Sequence, residues 1–439
     1  MAKPRTKLSA SLPPLVFGTA TFNYQFNPDP FALGPTEIIQ RALVHGVRAF
    51  DTSPYYGPAE EILGTALSTE FVRKNYPREQ YYILTKVGRI LADSFDYSPT
   101  WVRYSVKRSC RRLRTDYLDV VYCHDVEFVS PEEVLGAIKE LRRIRDEEDT
   151  IKYVGISGYP AAVLSSLAEM ILHETGEPLD AVMSYANFTL QNTRLLSEAV
   201  PRLIAAGVDV VPNASPLGMG LLRGQGPPIG AMGNWHPAPD ELRKAVRAAS
   251  DWTDKQGERL EVVALRFALE NWLREAAKVG ASGNPLALPA ETYRSETMRQ
   301  KLGVSVMGVS KLTELDETIR VWRSVLDGMA DDLDQGPGTM TPSDAVSDHE
   351  WSLQRRQRIR ILAKGIRTES DSGLISLGLL QTPVSSIRDT SGMQARMKAS
   401  LSLSRTMQSM QRCLRLLRKR KTMAWQRTSL PFLADSTRS

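Results

Sequence analysis

Short apolar, β-branched runs alternate with amphipathic stretches eight times between residues 12 and 328 of this chain. The order begins "PLVFGT" then "PTEIIQRALVHG", "VRAFDT" then "AEEILGTAL", "YYILTKVG" then "WVRYSVKRSCRRL", "YLDVVYCHD" then "PEEVLGAIKELRRIRDEE". It continues through "IKYVGISG", "LDAVMSYANF", "VDVVPNASPL" and "VSVMGVS", each followed by a helical pattern. Strand runs that stay apolar without alternating are buried on both faces, as in a parallel sheet covered by helices. Eight such units are the number that closes a barrel. The expected fold is therefore α/β, a (β/α)8 TIM barrel over residues 12–328. A doubly wound open sheet is the alternative. It is disfavoured because no G-x-G-x-x-G follows the first strand, and "GMGLLRG" at Gly218 to Gly224 is in the wrong place.

Two segments interrupt the rhythm. Residues 281–303, "ASGNPLALPAETYRSETMRQKLG", read as an irregular insertion before the eighth strand. Residues 329–367 read as a Gly/Pro-containing linker, "DDLDQGPGTMTPSD", followed by a helix, "DHEWSLQRRQRIRILAKGIR". From Thr368 to Ser439 the chain is Ser/Arg/Met-rich without periodicity, and a disordered extension is expected there. This tail carries 12 Lys/Arg against 4 Asp/Glu, more than the whole net charge of +6, so the body is slightly acidic. Basicity thus gives no reason to read the barrel as a nucleic-acid binder. Within the tail, "MQRCLRLLRKRKTMAW" has the make-up of a basic amphipathic helix for an anionic surface or of an import signal, with a solvated extension as the plainer reading.

Cys110, Cys123 and Cys413 have neither disulfide-like nor metal-ligand spacing, which points to reduced thiols and no metal. No apolar run reaches the roughly 18 residues of a membrane span. A cytoplasmic protein with no membrane partner is expected. The first 28 residues hold Lys3, Arg5 and Lys7 and no acid, as a presequence would, but no amphipathic helix accompanies them.

Catalytic groups of such barrels sit at the C-terminal ends of the strands. Asp51 ends the second strand, Tyr56 follows in its loop, Lys86 ends the third strand, and His124 ends the fourth. Consecutive strand ends bring these four within mutual reach. A phenol has an ordinary pKa of about 10, and a neighbouring ammonium favours its ionised form, so Lys86 is expected to bring Tyr56 down. Asp51 would keep Lys86 charged and oriented. His124 would donate a hydrogen bond to the reacting oxygen or relay its proton.

With "FDTSPYYG", "LTKVG" and "YLDVVYCHD" in this order, the chain resembles the aldo-keto reductase family, whose Asp–Tyr–Lys–His set falls at these positions. "ASPLGMGLL" and "GVSKLTELDETI" are similar to family motifs that hold the nicotinamide cofactor. "NASPL" and "VMGVS…ELDET" look like its sugar-oxidising branch, the NAD-linked 1-dehydrogenases of D-arabinose and L-galactose. The resemblance implies an NAD(P)-dependent oxidoreductase whose substrate is a small sugar or aldehyde, oxidised at C1 to an aldonolactone with Tyr56 exchanging the proton. It implies cofactor contacts from Gly18, Thr19, Ser157, Ser184, Ser215, Leu217, Gly218, Gly308, Ser310, Glu314 and Glu317. Three departures from the family pattern touch the nicotinamide end, namely Gly158 for an Asn, Ser184 for an amide and Ala214 for an aromatic residue. NAD is expected over NADP, because Glu314 stands where NADP-preferring relatives commonly carry an arginine. Tyr55, Trp101 and Trp235 are candidate stackers for a sugar ring. An aldehyde reductase and a non-catalytic regulatory barrel subunit, which channel-associated family members imply, are the rival readings.

Because the strand–helix rhythm ends well before Thr368, a chain cut after Arg367 is expected to keep its melting temperature and its affinity for NAD. A truncated chain that is insoluble, or that melts several degrees lower, would place the tail against the barrel instead.

Overall fold

A computed structural model of the chain describes residues 5–224, 226–227, 235–286, 300–334 and 353–367. Its strands, in chain order, are β1 (Leu15–Gly18), β2 (Ala49–Asp51), β3 (Tyr82–Val87), β4 (Arg89–Leu91), β5 (Ser94–Phe95), β6 (Leu118–His124), β7 (Ile151–Gly158), β8 (Ala181–Tyr185), β9 (Asn213–Ala214) and β10 (Ser305–Gly308). β4 and β5 form a small antiparallel hairpin. The other eight pair in parallel and close on themselves in the order β1-β10-β9-β8-β7-β6-β3-β2, the (β/α)8 barrel that the alternation predicts.

Side chains of a strand alternate between its two faces, so each barrel strand sends every second residue inward. The inward sets are Ala49 and Asp51, Leu84 and Lys86, Val120, Tyr122 and His124, Tyr153 and Ser157, Met183 and Tyr185, and Val306 and Gly308. Their apolar members form one buried cluster. The intervening residues, among them Phe50, Ile83, Val121, Cys123, Val154, Ile156 and Val182, join a larger outer core beneath the helices. Polar inward residues therefore collect at the C-terminal rim, above an apolar floor. At the opposite end Leu8 and Leu12 plug the barrel, while Ser9 donates through its backbone N–H and its hydroxyl to the Asp209 carboxylate at 2.8 and 2.7 Å.

The helices start where the sequence supplies caps. Pro99–Leu113 begins with proline after Ser98, whose hydroxyl accepts from the Trp101 N–H. Pro131–Glu148 begins with a reciprocal capping box between Ser130 and Glu133. β9 is the shortest barrel strand, because Pro212 has no N–H to give its neighbour and breaks the "VDVVPNASPL" run. One bridge, Ala181 to Val210, continues the pairing below it.

The insertion has a closed stem, in which the Ala281 and Leu302 backbones exchange two 2.8 Å hydrogen bonds. Residues 287–299 of it lie outside the described residues. After the last barrel helix, Leu312–Asp334, a further helix, Leu353–Arg367, packs against Leu260–Glu275. It buries Ile359, Leu362, Ala363 and Ile366 and pairs Arg355 with Glu258 at 2.7 Å. The helix Leu312–Asp334 takes in "DDLD", the start of the expected linker; residues 335–352, which hold the rest of it and the first residues of the expected following helix, and the basic tail at 368–439, with Cys413, lie outside the described residues.

Candidate active site

The stretch "DTSPYYGP" turns within seven residues from the end of β2 to the helix Ala59–Leu67. The Tyr56 N–H donates to the Ser53 carbonyl at 3.0 Å, the Tyr55 N–H donates to the Ser53 hydroxyl at 3.1 Å, and Gly57 supplies a left-handed φ of 58°. Two prolines fix the rest of the turn. The loop holds Tyr56 against the rim residues of β2, β3 and β6.

Asp51 pairs across the sheet with Leu84, and Lys86 stands two residues further along β3 on the same inward face. The Lys86 ammonium donates to both Asp51 carboxylate oxygens at 2.7 and 2.9 Å and to the Thr52 carbonyl at 2.9 Å. It stands 4.8 Å from the centre of the Tyr56 ring. The His124 ring meets the Tyr56 ring edge-on at 5.7 Å. The four side chains expected to work together thus form one wall of a single cleft of about 720 Å³.

Burial decides the protonation of this wall. It pushes the Tyr56 phenol up to about 12, and the nearby Lys86 charge offsets only part of the rise. That corrects the expectation of a lowered phenol: the ammonium acts in the predicted direction, but desolvation outweighs it. Burial also works to lower the Lys86 pKa, yet the Asp51 carboxylate and Tyr56 more than compensate and hold it above its ordinary value. Removal from water takes His124 down to about 3, so its imidazole is neutral at physiological pH.

Residues beyond the expected set complete the cleft. Arg89, on the hairpin strand β4, donates to Asp125 and lies 4.0 Å from the Tyr55 ring centre. Asp125 follows His124 with a positive φ of 56°, and its N–H donates to the Ser157 carbonyl at 2.7 Å. Tyr55 and Trp235 line the cleft as expected for ring-stacking residues. Trp101 does not: it lies on the outer helix Pro99–Leu113 beside Tyr104 and Arg108.

A profile of the Aldo/keto reductase family matches residues 14–331. The chain belongs to that family. It is 45% identical to the D-arabinose 1-dehydrogenase of Saccharomyces cerevisiae over 266 residues, which covers 60% of this chain and 77% of that protein. It is 33% identical to the L-galactose dehydrogenase of Arabidopsis thaliana over 285 residues, covering 64% and 84% of the two chains. A D-threo-aldose 1-dehydrogenase of a Pseudomonas species is 25% identical over 301 residues, covering 62% and 86%. An aldo/keto reductase is an oxidoreductase that uses a nicotinamide cofactor.

The end strands of the barrel seam, β1 and β10, finish side by side on Gly18 and Gly308. A Cβ added at Gly308 would fall 3.1 Å from the Gly18 carbonyl oxygen, so this stretch of rim is bare backbone that a flat or extended group can approach closely. Gly18, Ser157, Ser215, Leu217, Gly308, Ser310, Glu314 and Glu317 all line the cleft, which suits an extended dinucleotide. Thr19, Ser184 and Gly218 do not line it. Thr19 follows the end of β1, while Ser184 lies between the inward Met183 and Tyr185 and so faces outward, its hydroxyl accepting from Asn187 instead. Gly218 turns its carbonyl to the His236 ring at 2.9 Å. Gly158 also faces outward, into space filled by the Glu127 carboxyl.

At the far end of the cleft the Glu314 carboxylate accepts from the Ser310 N–H at 2.8 Å and pairs with Arg223 at 2.7 Å. Glu317 pairs with Arg259 at 3.0 Å.

The Asp51–Lys86 pair is almost completely buried, so removing one partner leaves an uncompensated charge. Asp51→Ala is expected to lose about 3–5 kcal/mol of stability in denaturant unfolding, the range for a broken buried pair. The double variant Asp51→Ala/Lys86→Met should recover part of that loss. A double variant less stable than either single one would contradict the pairing.

Proposed function

We propose that the chain oxidises an aldose of the D-arabinose or L-galactose type at C1 to the aldonolactone, with NAD preferred over NADP. The observation that carries this reading is the convergence of Tyr56, Lys86, Asp51 and His124 on one wall of the cleft. The named activities of the two more similar relatives, on D-arabinose and L-galactose, support the choice of substrate class. A lining that combines the aromatic Tyr55 and Trp235 with the Arg89–Asp125 pair suits a ring that has both apolar faces and hydroxyl edges.

When bound, the nicotinamide supplies the acceptor for the hydride that leaves C1. Tyr56 takes the proton of the C1 hydroxyl as the C1–O bond becomes a carbonyl, and returns it when the reaction runs backward. Lys86 holds the phenol below the value that burial alone would impose. Asp51 keeps Lys86 charged and aimed. His124, neutral and fixed beside Tyr56, hydrogen-bonds the same oxygen. The mostly dry wall strengthens each of these interactions.

The preference for NAD rests on Glu314. Its carboxylate, which accepts from the Ser310 N–H and pairs with Arg223, puts a negative charge at the far end of the cleft that opposes a 2′-phosphate. Glu314→Arg should shift the ratio of kcat/KM values toward NADP. Equal or better efficiency of the unaltered chain with NADP would contradict the assignment.

Two outcomes test the proton transfer. Tyr56→Phe should lower turnover by roughly 10²–10⁴-fold, the usual contribution of general acid–base catalysis, and leave cofactor affinity nearly unchanged. A phenol at about 12 is mostly protonated at neutral pH, so the base needed for oxidation becomes more abundant as pH rises. Aldose oxidation should therefore climb through the neutral and alkaline range, while reduction of an aldehyde, which uses the protonated phenol, stays flat until the alkaline end. With His124 near 3, neither profile should bend near its ordinary value of about 6.5. Oxidation that falls with rising pH, or turnover like the unaltered chain's in Tyr56→Phe, would contradict the role of Tyr56.

A further inference from the structure

The neutral His124 ring has two nitrogens and one proton, and only one placement lets it donate to the substrate oxygen. Its surroundings bear on the choice. Nδ1 lies 3.1 Å from the Ser53 Oγ. Nε2 lies 3.6 Å from the Asp125 Oδ2, too far for a hydrogen bond but close enough to feel the carboxylate. The backbone carbonyl of His124 accepts from the Tyr97 hydroxyl, and the ring is flanked edge-on by Tyr55 and Tyr56, so its orientation is fixed from several sides.

Ser53 is fully buried, and its Oγ already accepts the Tyr55 N–H at 3.1 Å. Its hydroxyl proton needs an acceptor, and Nδ1 is positioned to be one. If Nδ1 carried the ring proton instead, two donors would converge on Oγ and the serine's own proton would be left buried without a partner. The bare Nε2 lone pair would then also face the Asp125 carboxylate. With the proton on Nε2, the serine donates to Nδ1, and an N–H points toward that carboxylate and the cleft. Both sides of the ring favour the same tautomer.

We infer that Ser53 is a positioning residue that fixes His124 as the Nε2–H tautomer, so that the imidazole meets the reacting oxygen as a hydrogen-bond donor. The use made of that proton rests on the proposed oxidation, but its location does not. In the opposite tautomer Nε2 would present a lone pair to the oxygen's own lone pairs. Transfer of the hydroxyl proton to Tyr56 leaves alkoxide-like negative charge on that oxygen until the hydride has departed, and a donor there stabilises the charge where an acceptor opposes it.

The test is a two-dimensional proton–nitrogen spectrum of the full chain labelled with ¹⁵N at histidine, with the His124 signals identified by their loss in His124→Gln. The expected result is an unprotonated Nδ1 and a protonated Nε2. In Ser53→Ala the two nitrogen signals should move toward each other as the tautomers mix, with aldose turnover reduced about tenfold and NAD affinity unchanged. Ser53→Thr, which keeps the hydroxyl, should restore the original spectrum and most of the turnover. A protonated Nδ1 in the unaltered chain would overturn the inference, as would a Ser53→Ala spectrum with the pure Nε2–H pattern. Because the spectrum needs no substrate, a chain that oxidises no sugar would sink the proposed function while leaving the tautomer result standing.

Discussion

A strand in a closed parallel barrel has a period of two, and this parity decides which residues of the chain can do chemistry. Each strand presents one inward side chain to the rim at a time. For β2, β3, β6 and β7 that side chain is Asp51, Lys86, His124 and Ser157. Beneath them the inward positions are apolar, so the rim residues rest on a packed floor and have little freedom to move. A shift of one residue in any of these strands would exchange its rim residue for one now buried under the helices. The site is therefore a consequence of register before it is a consequence of chemistry.

Burial gives the site its power and sets its protonation states. The same desolvation that keeps His124 neutral raises Tyr56 and works to lower Lys86, and Asp51, bonded to the ammonium through both oxygens, is the largest of the effects that outweigh it. Lys86 is thus the charged donor at the base of Tyr56, and Asp51 is what keeps it charged. Arg89 and Asp125 form a second buried pair on the other side of His124, where Asp125 is held below the ordinary carboxylate range despite its burial. Two ion pairs flank one neutral imidazole. Such an arrangement supplies oriented dipoles and fixed charges within a buried wall.

The barrel was legible in the sequence because burial on both faces leaves long apolar runs, and eight of them in alternation with amphipathic helices admit few folds. The rim positions of Asp51, Lys86 and His124 were legible for the same reason, since a polar residue that ends an apolar run stands at the rim. What the sequence left unplaced has a physical cause as well. Thr19 and Ser184 sit next to inward residues, and without the register their parity could not be assigned. Trp101 opens the helical run "WVRYSVKRSCRRL", and choosing it as a stacker went by residue type against that pattern, which already put it on an outer helix. Arg89 was missed because the hairpin that turns it back into the cleft is only a few residues long. The direction of the Tyr56 shift was misjudged because sequence reveals a neighbouring charge more readily than the loss of water. Ser53 was in plain view in "DTSPYY", but its bond to His124 joins residues 71 apart in the chain.

If this wall moves a hydride from C1 of an aldose, an isotope placed at C1 follows the transfer. The purified full chain is given NAD and D-arabinose or L-galactose deuterated at C1, and the products are analysed by mass spectrometry. The expected outcome is deuterium in the reduced nicotinamide, an aldonolactone free of deuterium, and slower turnover than with the unlabelled sugar. Reduced cofactor without deuterium, or a product oxidised at any carbon other than C1, would contradict it.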